Sequence, residues 1–464
     1  MGRRRQGGSG GAGGRRVAVV VLGDIGRSPR MQYHALALAR RGHWVDLVGY
    51  GESRPMEAVL QEERIALRHM RVPGLLAAAP RALFGVAGPL KAAWQALALL
   101  WLLLASIPRP DVILVQNPPA IPTLPVARVC AWLTGSRLIV DWHNYGYTVL
   151  GLRLGAEHPA VALAQRIERL FGRHAYAHLC VTGAMASDLR DRWQVSGRLV
   201  VLRDRPPRHF RRLDADETHA LWSRLLRDPQ LARLKQAVAG WRAGGSLGPL
   251  DSLLTTRTGA GGPAALRADR PMLVVSSTSW TADEDFSILL RALALYDARA
   301  VAVAGAGAAL LPPLAVLITG KGPLRAHYEA EIGRLGLRRV CVATAWLSAE
   351  DYPLCLGTAD LGVSLHTSTS GLDLPMKVVD MLGCGAPVCA YRFPCIGELV
   401  TPANGLVFAD AEELARQMQD LAASQRGAGG GGLYARLFRG AAAFRAVDWD
   451  AGYAPVLRLV EQQP

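Results

Sequence analysis

The sequence predicts an α/β protein with two doubly wound parallel sheets in tandem. Short apolar runs with strand character alternate with amphipathic stretches of helical spacing, which is typical of βαβ units. This alternation begins at Val17 and starts again at Met272. A chain of 464 residues with 50% hydrophobic residues is long enough to form two such domains, each with its own core.

The first half opens with a complete βαβ unit. Residues 17–22 form a continuous apolar strand run, which the turn GDIGRSPRMQ connects to a helical stretch and then to a strand at 44–48. Further strands of this half are predicted at 111–116, 137–141, 179–182 and 199–202. Strands of the second half are predicted at 272–276, 314–319, 340–344, 361–365 and 387–390.

Composition suggests the boundaries of the domains. Residues 1–16 are glycine and arginine without an apolar core, so we expect a disordered basic leader and no signal peptide. Two Rossmann-like domains are expected over 17–205 and 271–447, and a C-terminal helix over 448–464. The intervening residues 206–270, rich in Pro, Arg, Gly and Thr, are interpreted as an inserted loop and linker.

Charge and cysteine content restrict the class of ligand. A net charge of +15 favours phosphates or anionic lipid, whereas RNA-binding motifs and basic stripes with regular aromatics are absent from the sequence, so no nucleic-acid partner is expected. The seven cysteines form no CxxC pair and lie in apolar runs, as buried thiols do. We therefore predict neither a metal site nor a cofactor.

An apolar segment near 90–107 suggests membrane contact. Its most apolar part, AAWQALALLWLLLASI over 92–107, is shorter than the roughly 20 residues that span a bilayer. Its position between two strand patterns favours a domain helix with one face in the membrane interface. A spanning helix and an ordinary core helix remain alternatives.

Polar residues follow four of the predicted strands. Because ligands of open α/β sheets bind at the carboxyl ends of strands, these loops are the candidate sites. They are Gly23-Asp24-Ile25-Gly26-Arg27-Ser28-Pro29-Arg30, Asp141-Trp142-His143-Asn144-Tyr145-Gly146-Tyr147, Ser276-Ser277-Thr278-Ser279-Trp280-Thr281 and Thr319-Gly320-Lys321-Gly322-Pro323. A structural Asp–His pair and ordinary glycine turns are the competing interpretations.

The stretch GLDLPMKVVDMLGCGAPV predicts a helix that begins near Pro375 and ends at a glycine pair. Lys377 and Asp380 then share one face, where the ammonium and the helix N-terminus suit a diphosphate. Only four of the 53 basic residues are lysines, which hints that a compact charge is needed at Lys377. A surface ion pair is the alternative.

The order of these motifs resembles that of GT-B glycosyltransferases, whose two Rossmann-like domains face each other across a cleft. The strings VVLGDIGRSPRMQYHA, QNPPAIPTL, DWHNYGY, SSTSWTADEDFSILL and TSTSGLDLPMKVVDM further resemble the chitobiosyldiphosphodolichol β-mannosyltransferases of eukaryotic N-glycan assembly. The similarity covers most of residues 17–447. The family usually carries an apolar N-terminal anchor, where this sequence has its glycine-arginine leader.

The resemblance implies an inverting transfer of mannose from GDP-mannose to GlcNAc2-diphosphodolichol, giving a β1,4 linkage. It places the enzyme at the endoplasmic reticulum membrane, on the cytosolic face. The expected partners are the dolichol-diphosphate-linked chitobiose, the membrane and later mannosyltransferases of the same pathway. The first domain would bind the acceptor and the second GDP-mannose.

The resemblance also distributes roles among the candidate residues. Lys377 would face the donor diphosphate and Asp380 the ribose. Related enzymes carry two glutamates in this helix region, where this sequence has Leu372 and Asp380, with Asp373 one position off. The expected donor-binding set is Ser277, Thr278, Gly320, Lys321, Gly322, Asp373, Lys377 and Asp380, and the expected acceptor-diphosphate set is Gly23, Asp24, Gly26, Arg27 and Arg30.

The general base should lie in the first domain, which points to Asp141 or His143, with Asp24 as a third candidate. The two DxD triplets, 214–216 and 283–285, are rejected as metal motifs, because the first falls in the predicted linker and the second is interpreted as a helix start.

Other classes of protein remain open. A dinucleotide-dependent oxidoreductase lacks support because GDIGRSP does not have the G-x-G-x-x-G spacing. A GT-B enzyme with a different donor or acceptor is the main competitor, and a non-catalytic membrane scaffold is the third possibility.

Overall fold

The computed structural model describes residues 14–71, 84–242, 244–305, 311–426, 431–447 and 449–462. They belong to two compact units, Met1–Arg203 with Trp449–Pro464 and Asp204–Asp448. Each unit contains one parallel sheet, which confirms the predicted tandem α/β fold. Apart from residues 14–16, the predicted basic leader lies outside the described residues.

The first unit contains a seven-stranded parallel sheet in the order β3-β2-β1-β4-β5-β6-β7. The strands are β1 Arg16–Asp24, β2 Trp44–Tyr50, β3 Ile65–His69, β4 Val112–Asn117, β5 Arg137–Trp142, β6 His174–Cys180 and β7 Ser196–Val201. The helices are α1 Pro29–Arg40, α2 Glu57–Leu60, α3 Phe84–Trp101, α4 Thr123–Thr134, α5 Gly146–Leu154, α6 Pro159–Gly172 and α7 Gly183–Asp191. The strand order reverses between β1 and β4, where polar loops lie at the carboxyl edge.

The second unit contains a six-stranded parallel sheet in the order β12-β11-β10-β13-β14-β15. A separate antiparallel pair consists of β8 Thr255–Arg257 and β9 Ala264–Leu266. The sheet strands are β10 Met272–Ser277, β11 Leu314–Thr319, β12 Val340–Ala345, β13 Leu361–Ser364, β14 Val388–Tyr391 and β15 Gly405–Phe408. The helices are α8 Ala215–Leu225, α9 Ala232–Gly240, α10 Phe286–Gly305, α11 Arg325–Arg334, α12 Asp351–Leu356, α13 Met376–Gly383, α14 Ala411–Arg426 and α15 Leu433–Arg445.

Both faces of the second sheet are buried. Along β10, Met272 and Val274 lie in one hydrophobic cluster, whereas Leu273 and Val275 lie in another. Successive side chains of a strand point to opposite faces, so a strand covered on both sides needs a continuous apolar sequence. This requirement explains why the apolar runs located the central strands correctly.

The structure adds strands that the sequence interpretation missed. β3 is an edge strand whose side chains are only partly covered, and β15 has four residues. The pair β8–β9 consists of three-residue strands. Strands this short, or this exposed, do not carry enough apolar residues to give a pattern.

Residues 206–270 differ from the predicted loop and linker. They belong to the second unit and contain α8, α9 and the β8–β9 pair. Trp222 of α8 is fully buried in the core cluster that includes Leu273, and its indole N–H donates to Thr358 Oγ1 at 3.1 Å. The prolines and glycines of this segment lie around these elements and obscured them in the sequence.

The C-terminal helix, α16 Trp449–Glu461, packs in the first unit, although it follows the second unit in sequence. Tyr453 and Val456 lie in the same core cluster as Val19 of β1 and Leu38 of α1. The predicted helix therefore completes the core of the domain that the chain began with.

We expect Trp222→Ala to lower the free energy of unfolding of the second unit by about 3–5 kcal/mol, because it empties a buried site and removes the indole donor to Thr358. Leu266→Ala, at a 53% exposed position of β9, is the matched control and should change it by less than about 0.5 kcal/mol. Urea denaturation measures both values. If both substitutions lowered the free energy of unfolding by the same small amount, residues 206–270 would contribute nothing to the hydrophobic core.

Candidate active site

At the carboxyl edge of the first sheet, the Asp141 carboxylate is completely buried and surrounded by hydrogen-bond donors. Arg30 donates to both oxygens, from Nη2 to Oδ1 and from Nε to Oδ2, each at 2.8 Å. The Nε2 atoms of His34 and His143 lie 3.0 and 2.8 Å from Oδ2. The strand β5 thus supplies the buried carboxylate, and the helix α1 and the loop after β5 supply its hydrogen-bond donors.

These neighbours decide the protonation of Asp141. Burial alone would raise its pKa, but Arg30, His143 and His34 outweigh burial and hold the pKa well below its usual range. An ionised carboxylate only accepts hydrogen bonds, so His143 must donate through Nε2. Its ring is 24% exposed, and a neutral ring then has its lone pair at Nδ1. Of the two candidates for the base, the geometry favours His143, with Asp141 orienting it.

The burial and the partner of Arg30 differ from the prediction. It was expected to bind an acceptor diphosphate, but it is 5% exposed and forms the bidentate pair with Asp141. Its Nη1 also donates to the carbonyl oxygen of Leu202 at 2.9 Å. Arg30 is the second residue of α1 and faces the core, so its charge serves the buried network.

The turn after β1 keeps one cation exposed. Asp24 accepts backbone N–H groups of Gly26, Glu52 and Ser53 at 3.3, 3.2 and 3.1 Å. Burial opposes ionisation, yet these hydrogen bonds outweigh it and lower the pKa of Asp24, which suits a local cap better than a base. The Arg27 Nε lies 3.6 Å from Asp24 Oδ2, but the side chain is 78% exposed, so the end of its guanidinium can still meet an anion.

Glycine is needed at position 26 of this turn. A Cβ on Gly26 would lie 2.5 Å from the carbonyl oxygen of Ser53, closer than any side chain tolerates. A Cβ on Gly23 would make only ordinary van der Waals contact, because its nearest neighbouring atom lies at 3.4 Å. Of the two predicted glycines, Gly26 therefore allows the turn to pack against residues 52–54.

A buried glutamate that the sequence interpretation missed fixes the loop after β5. Glu168 of α6 accepts the Asn117 amide at 2.6 Å and the backbone N–H groups of Gly146 and Tyr147 at 2.8 and 3.1 Å. Burial raises its pKa, while these donors favour the charged form. Glu168 thereby caps the start of α5 next to His143, but in sequence it resembles a surface residue of an amphipathic helix.

In the second unit, two polar loops pack directly against each other. A Cβ on Gly320 would lie 1.8 Å from the Thr278 carbonyl oxygen, and one on Gly322 would lie 1.7 Å from that of Ser279. Only glycine allows this approach, which brings the loops after β10 and β11 together at the carboxyl edge. The predicted residues Thr278, Gly320 and Gly322 are thus neighbours in space.

Lys377, at the second position of α13, reaches the loop after β10. Its ammonium lies 2.7 Å from Glu284 Oε1. Glu284 is buried, and its Oε2 accepts from Thr278 Oγ1 at 2.6 Å and from the Ser279 N–H at 3.0 Å. Glu284 is the central residue of a DxD triplet that we excluded as a metal motif. It instead fixes the lysine beside Thr278.

Two further residues that were predicted to bind the sugar donor are an exposed lysine and an aspartate in a loop. Lys321 is exposed, and its Nζ lies 4.3 Å from the centroid of the Trp346 ring. Asp373 accepts a hydrogen bond from the Ser368 hydroxyl, while the Cys395 thiol contacts its carbonyl oxygen at 3.3 Å. Asp373 thus stabilises the loop between β13 and α13.

Asp380 lies deeper on α13. Burial raises its pKa to about 8, and the nearby Asp204 adds to the effect. Asp380 also contributes to the raised pKa of Tyr352, after burial, and the Tyr352 hydroxyl donates to Ser277 Oγ at 3.1 Å. A carboxyl group that gives up its proton only near pH 8 can donate a hydrogen bond at neutral pH.

Within the described parts of the chain, no group of three or more His, Cys, Asp or Glu side chains is arranged to hold a metal ion.

Comparisons with known proteins identify the family. Residues 26–204 match the family described as Glycosyl transferase 4-like domain, and residues 273–424 match Glycosyl transferases group 1. The chain is 47% identical over 412 residues to the mouse chitobiosyldiphosphodolichol beta-mannosyltransferase, covering 88% of this chain and 81% of that protein. The human protein of the same name is 46% identical over 420 residues, 89% of this chain and 85% of that protein. The chain belongs to this mannosyltransferase family.

One relative carries a different name. The UDP-glycosyltransferase TURAN of Arabidopsis thaliana is 47% identical over 414 residues, covering 87% of this chain and 88% of that protein. The Arabidopsis and mouse proteins, each 47% identical to this chain, thus have names that describe different activities.

Solved structures agree with the GT-B fold. The sucrose-phosphate synthase of Thermosynechococcus elongatus is 15% identical, with a TM-score of 0.61 over 96% of this chain and 98% of that one. The structure titled OtsA apo structure is 12% identical, with a TM-score of 0.62 over 97% and 100%. At these identities the similarity shows the fold alone. This mannosyltransferase-family chain therefore has the GT-B architecture.

The raised pKa of Asp380 gives a testable pH dependence. An aspartate ionises near pH 4 when unfolded, so between that pH and about 8 the folded state holds a proton that the unfolded state lacks. Stability then falls as pH rises. We expect Asp380→Asn, which stays neutral, to raise Tm relative to the parent more at pH 8 than at pH 5.

Thermal denaturation at several pH values measures this difference. Asp420→Asn, at an exposed position of α14, is the control and should give a Tm difference that changes much less with pH. A constant offset for Asp380→Asn would contradict the assignment.

Proposed function

We propose that this protein transfers mannose from GDP-mannose to GlcNAc2-diphosphodolichol and forms Man-β1,4-GlcNAc2-diphosphodolichol with inversion. The observation that carries the proposal is the 46–47% identity to the human and mouse enzymes over more than four fifths of their length. The geometry supports the same chemistry, because one unit offers an oriented histidine base and the other a cation fixed beside two polar loops.

The base is His143. In the proposed step its Nδ1 takes the proton of the acceptor O4 while O4 bonds to C1 of the mannose. The bond from C1 to the diphosphate oxygen breaks, and GDP leaves with the electron pair. The imidazolium that forms is stabilised by the Asp141 anion at 2.8 Å.

The donor diphosphate is assigned to Lys377. An ammonium group has three N–H donors, and Glu284 uses one of them, so others remain for phosphate oxygens. Lys377 lies in the first turn of α13, whose N-terminus has no side-chain cap and also favours an anion. The Ser277 hydroxyl, at the end of β10, accepts from Tyr352 and can give its own proton to a phosphate oxygen. The Thr278 hydroxyl donates to Glu284 and so acts by holding the partner of Lys377. Lys377, the N-terminus of α13 and Ser277 would stabilise the leaving-group charge.

Asp380 is assigned to the ribose of the donor. It lies near Tyr352, whose hydroxyl donates to Ser277, and a protonated carboxyl can both donate to and accept from a diol. Arg27 is assigned to the acceptor diphosphate, since it is the exposed cation of the turn after β1. Arg30 keeps no such role in this proposal.

Association with the endoplasmic reticulum membrane, on its cytosolic face, belongs to the same proposal. Within the described residues, one helical segment is long and apolar enough to cross a membrane. It is Gly88–Ser106, which includes most of α3 and the π-helical turn after it, and only 17% of it is buried. Five apolar side chains on it are between 39% and 63% exposed: Leu90, Trp94, Leu97, Trp101 and Leu104.

The spacing of these five residues puts them on one side of the helix. The neighbouring α4 adds Trp132, which is 80% exposed. Exposed tryptophans beside apolar side chains suit the interface between lipid chains and water. We therefore infer that α3 lies in the interface and that this surface brings the enzyme to its lipid-linked acceptor.

A second candidate is transfer from a UDP-sugar, which the name of the Arabidopsis relative suggests. The purified protein should be incubated with a chitobiosyl diphosphate lipid and, in parallel, GDP-mannose, UDP-glucose or UDP-GlcNAc, with a shortened acceptor as control. We expect one β-linked mannose from GDP-mannose. Transfer from a UDP-sugar alone, or no transfer by a protein that binds GDP, would overturn the proposed donor or acceptor.

Two substitutions should separate binding from chemistry. Lys377→Ala should weaken GDP binding about tenfold or more, because an ion-paired contact is lost. His143→Ala should leave GDP binding unchanged and lower kcat by about 10²–10⁴-fold, because the base is lost. Calorimetric titration and initial rates provide the two measurements.

Lys235→Ala, at an exposed position of α9, is the matched control for Lys377→Ala and should change neither quantity. Wild-type GDP affinity in Lys377→Ala would exclude the diphosphate role, and a normal kcat in His143→Ala would exclude the base.

The apolar surface of α3 gives a further prediction. The double substitution Leu97→Glu/Trp101→Glu should lower binding to vesicles of phosphatidylcholine and phosphatidylserine by about tenfold or more, because two exposed apolar side chains no longer enter the lipid. Vesicle flotation measures it. Leu60→Glu, at a 41% exposed position of α2, should bind as the parent does, and equal binding by all three proteins would exclude α3 as the contact.

A further inference from the structure

The C-terminal helix α16 contributes a tyrosine to the Asp141 network. Tyr453 is 1% exposed, and its hydroxyl lies 2.8 Å from His34 Nδ1. His34 Nε2 lies 3.0 Å from Asp141 Oδ2, and that oxygen lies 2.8 Å from His143 Nε2. Three hydrogen bonds therefore connect a helix at the end of the chain to the proposed base.

The charge of Asp141 determines the direction of each hydrogen bond. Because the carboxylate only accepts, His34 carries its proton on Nε2. Burial lowers the pKa of His34 and outweighs the attraction of Asp141, so the ring stays neutral and Nδ1 has a lone pair. The Tyr453 hydroxyl donates to that lone pair. Tyr453 thereby stabilises the neutral tautomer of His34 that Asp141 requires.

The same helix also contacts Arg30, the cation of the network. The guanidinium of Arg30 lies 5.3 Å from the centroid of the Trp449 ring, and the edge of the His34 ring meets Trp449 with centroids 5.4 Å apart. The helix therefore packs against two of the three groups that donate to Asp141. Among these contacts, the Tyr453 hydroxyl is the one that pairs the second ring nitrogen of His34.

We propose that Tyr453 is a positioning residue for the transfer reaction. It keeps His34 as a donor to Asp141, and the fully paired Asp141 then holds the His143 ring with Nδ1 free. If His34 took the other tautomer, its Nε2 lone pair would face the carboxylate, and Asp141 would lose a donor. This inference rests on the proposed function, in which His143 is the base.

Tyr453→Phe in the full-length protein tests the inference, since it removes the hydroxyl and keeps the ring. We expect kcat to fall about three- to tenfold, the effect of one buried hydrogen bond, while KM for donor and acceptor stays within about twofold. Tyr296→Phe is the matched control. The Tyr296 hydroxyl is buried in the second unit and donates to the Pro312 carbonyl oxygen at 2.8 Å, and its loss should leave kcat unchanged.

Nitrogen NMR of ¹⁵N-histidine-labelled protein supplies a readout independent of turnover. We expect the His34 ring to be protonated at Nε2 and bare at Nδ1 in the parent, and to lose this single-tautomer pattern in Tyr453→Phe. An unchanged pattern together with parental kcat would overturn the inference. If the parent itself transfers no mannose, the proposed function fails, while the NMR comparison still decides whether Tyr453 sets the tautomer.

A second pair of variants covers the case in which Tyr453→Phe does not fold. Gln places an amide N–H near the position of Nε2, and Asn places one near Nδ1. His34→Gln can therefore still donate to Asp141, whereas His34→Asn cannot. We expect His34→Gln to retain a several-fold higher kcat than His34→Asn at similar KM, and equal loss in both would overturn the inference.

Discussion

The arrangement of the first unit depends on the burial of the Asp141 charge. A carboxylate removed from water costs several kcal/mol unless cations and hydrogen-bond donors replace the solvent. Arg30, His34 and His143 do so here. Because these residues come from α1 and the loop after β5, and α16 packs behind them, the position of each element is constrained by the same charge.

The second unit buries a carboxylate in a comparable way. Glu284 is buried at the carboxyl edge and is stabilised by Lys377, Thr278 and a backbone N–H. Here the carboxylate holds a cation in place, while Asp141 holds the proposed base. In both units a residue that does not itself contact the substrate in our proposal determines the orientation of one that does.

A lipid-linked acceptor would account for two remaining features, the basic charge of the chain and the exposed apolar side of α3. In the proposed function, the net charge of +15 favours diphosphates and anionic lipid, and the exposed apolar side of α3 would add a contact with the lipid chains that charge alone cannot make. An enzyme whose acceptor stays in the bilayer benefits from both, because residence at the membrane raises the local concentration of that acceptor. Family membership and surface chemistry therefore point in the same direction.

The sequence by itself determined the tandem parallel sheets, because a strand buried on both faces must be apolar throughout and this pattern is local. It also determined the family, through motifs such as DWHNYGY and PMKVVDM, and located the polar loops. Only the tertiary structure decided that Arg30 pairs with Asp141, that Glu284 holds Lys377, and that Tyr453 returns to the first unit. These contacts join residues separated by between 93 and 419 positions, and no local pattern records them.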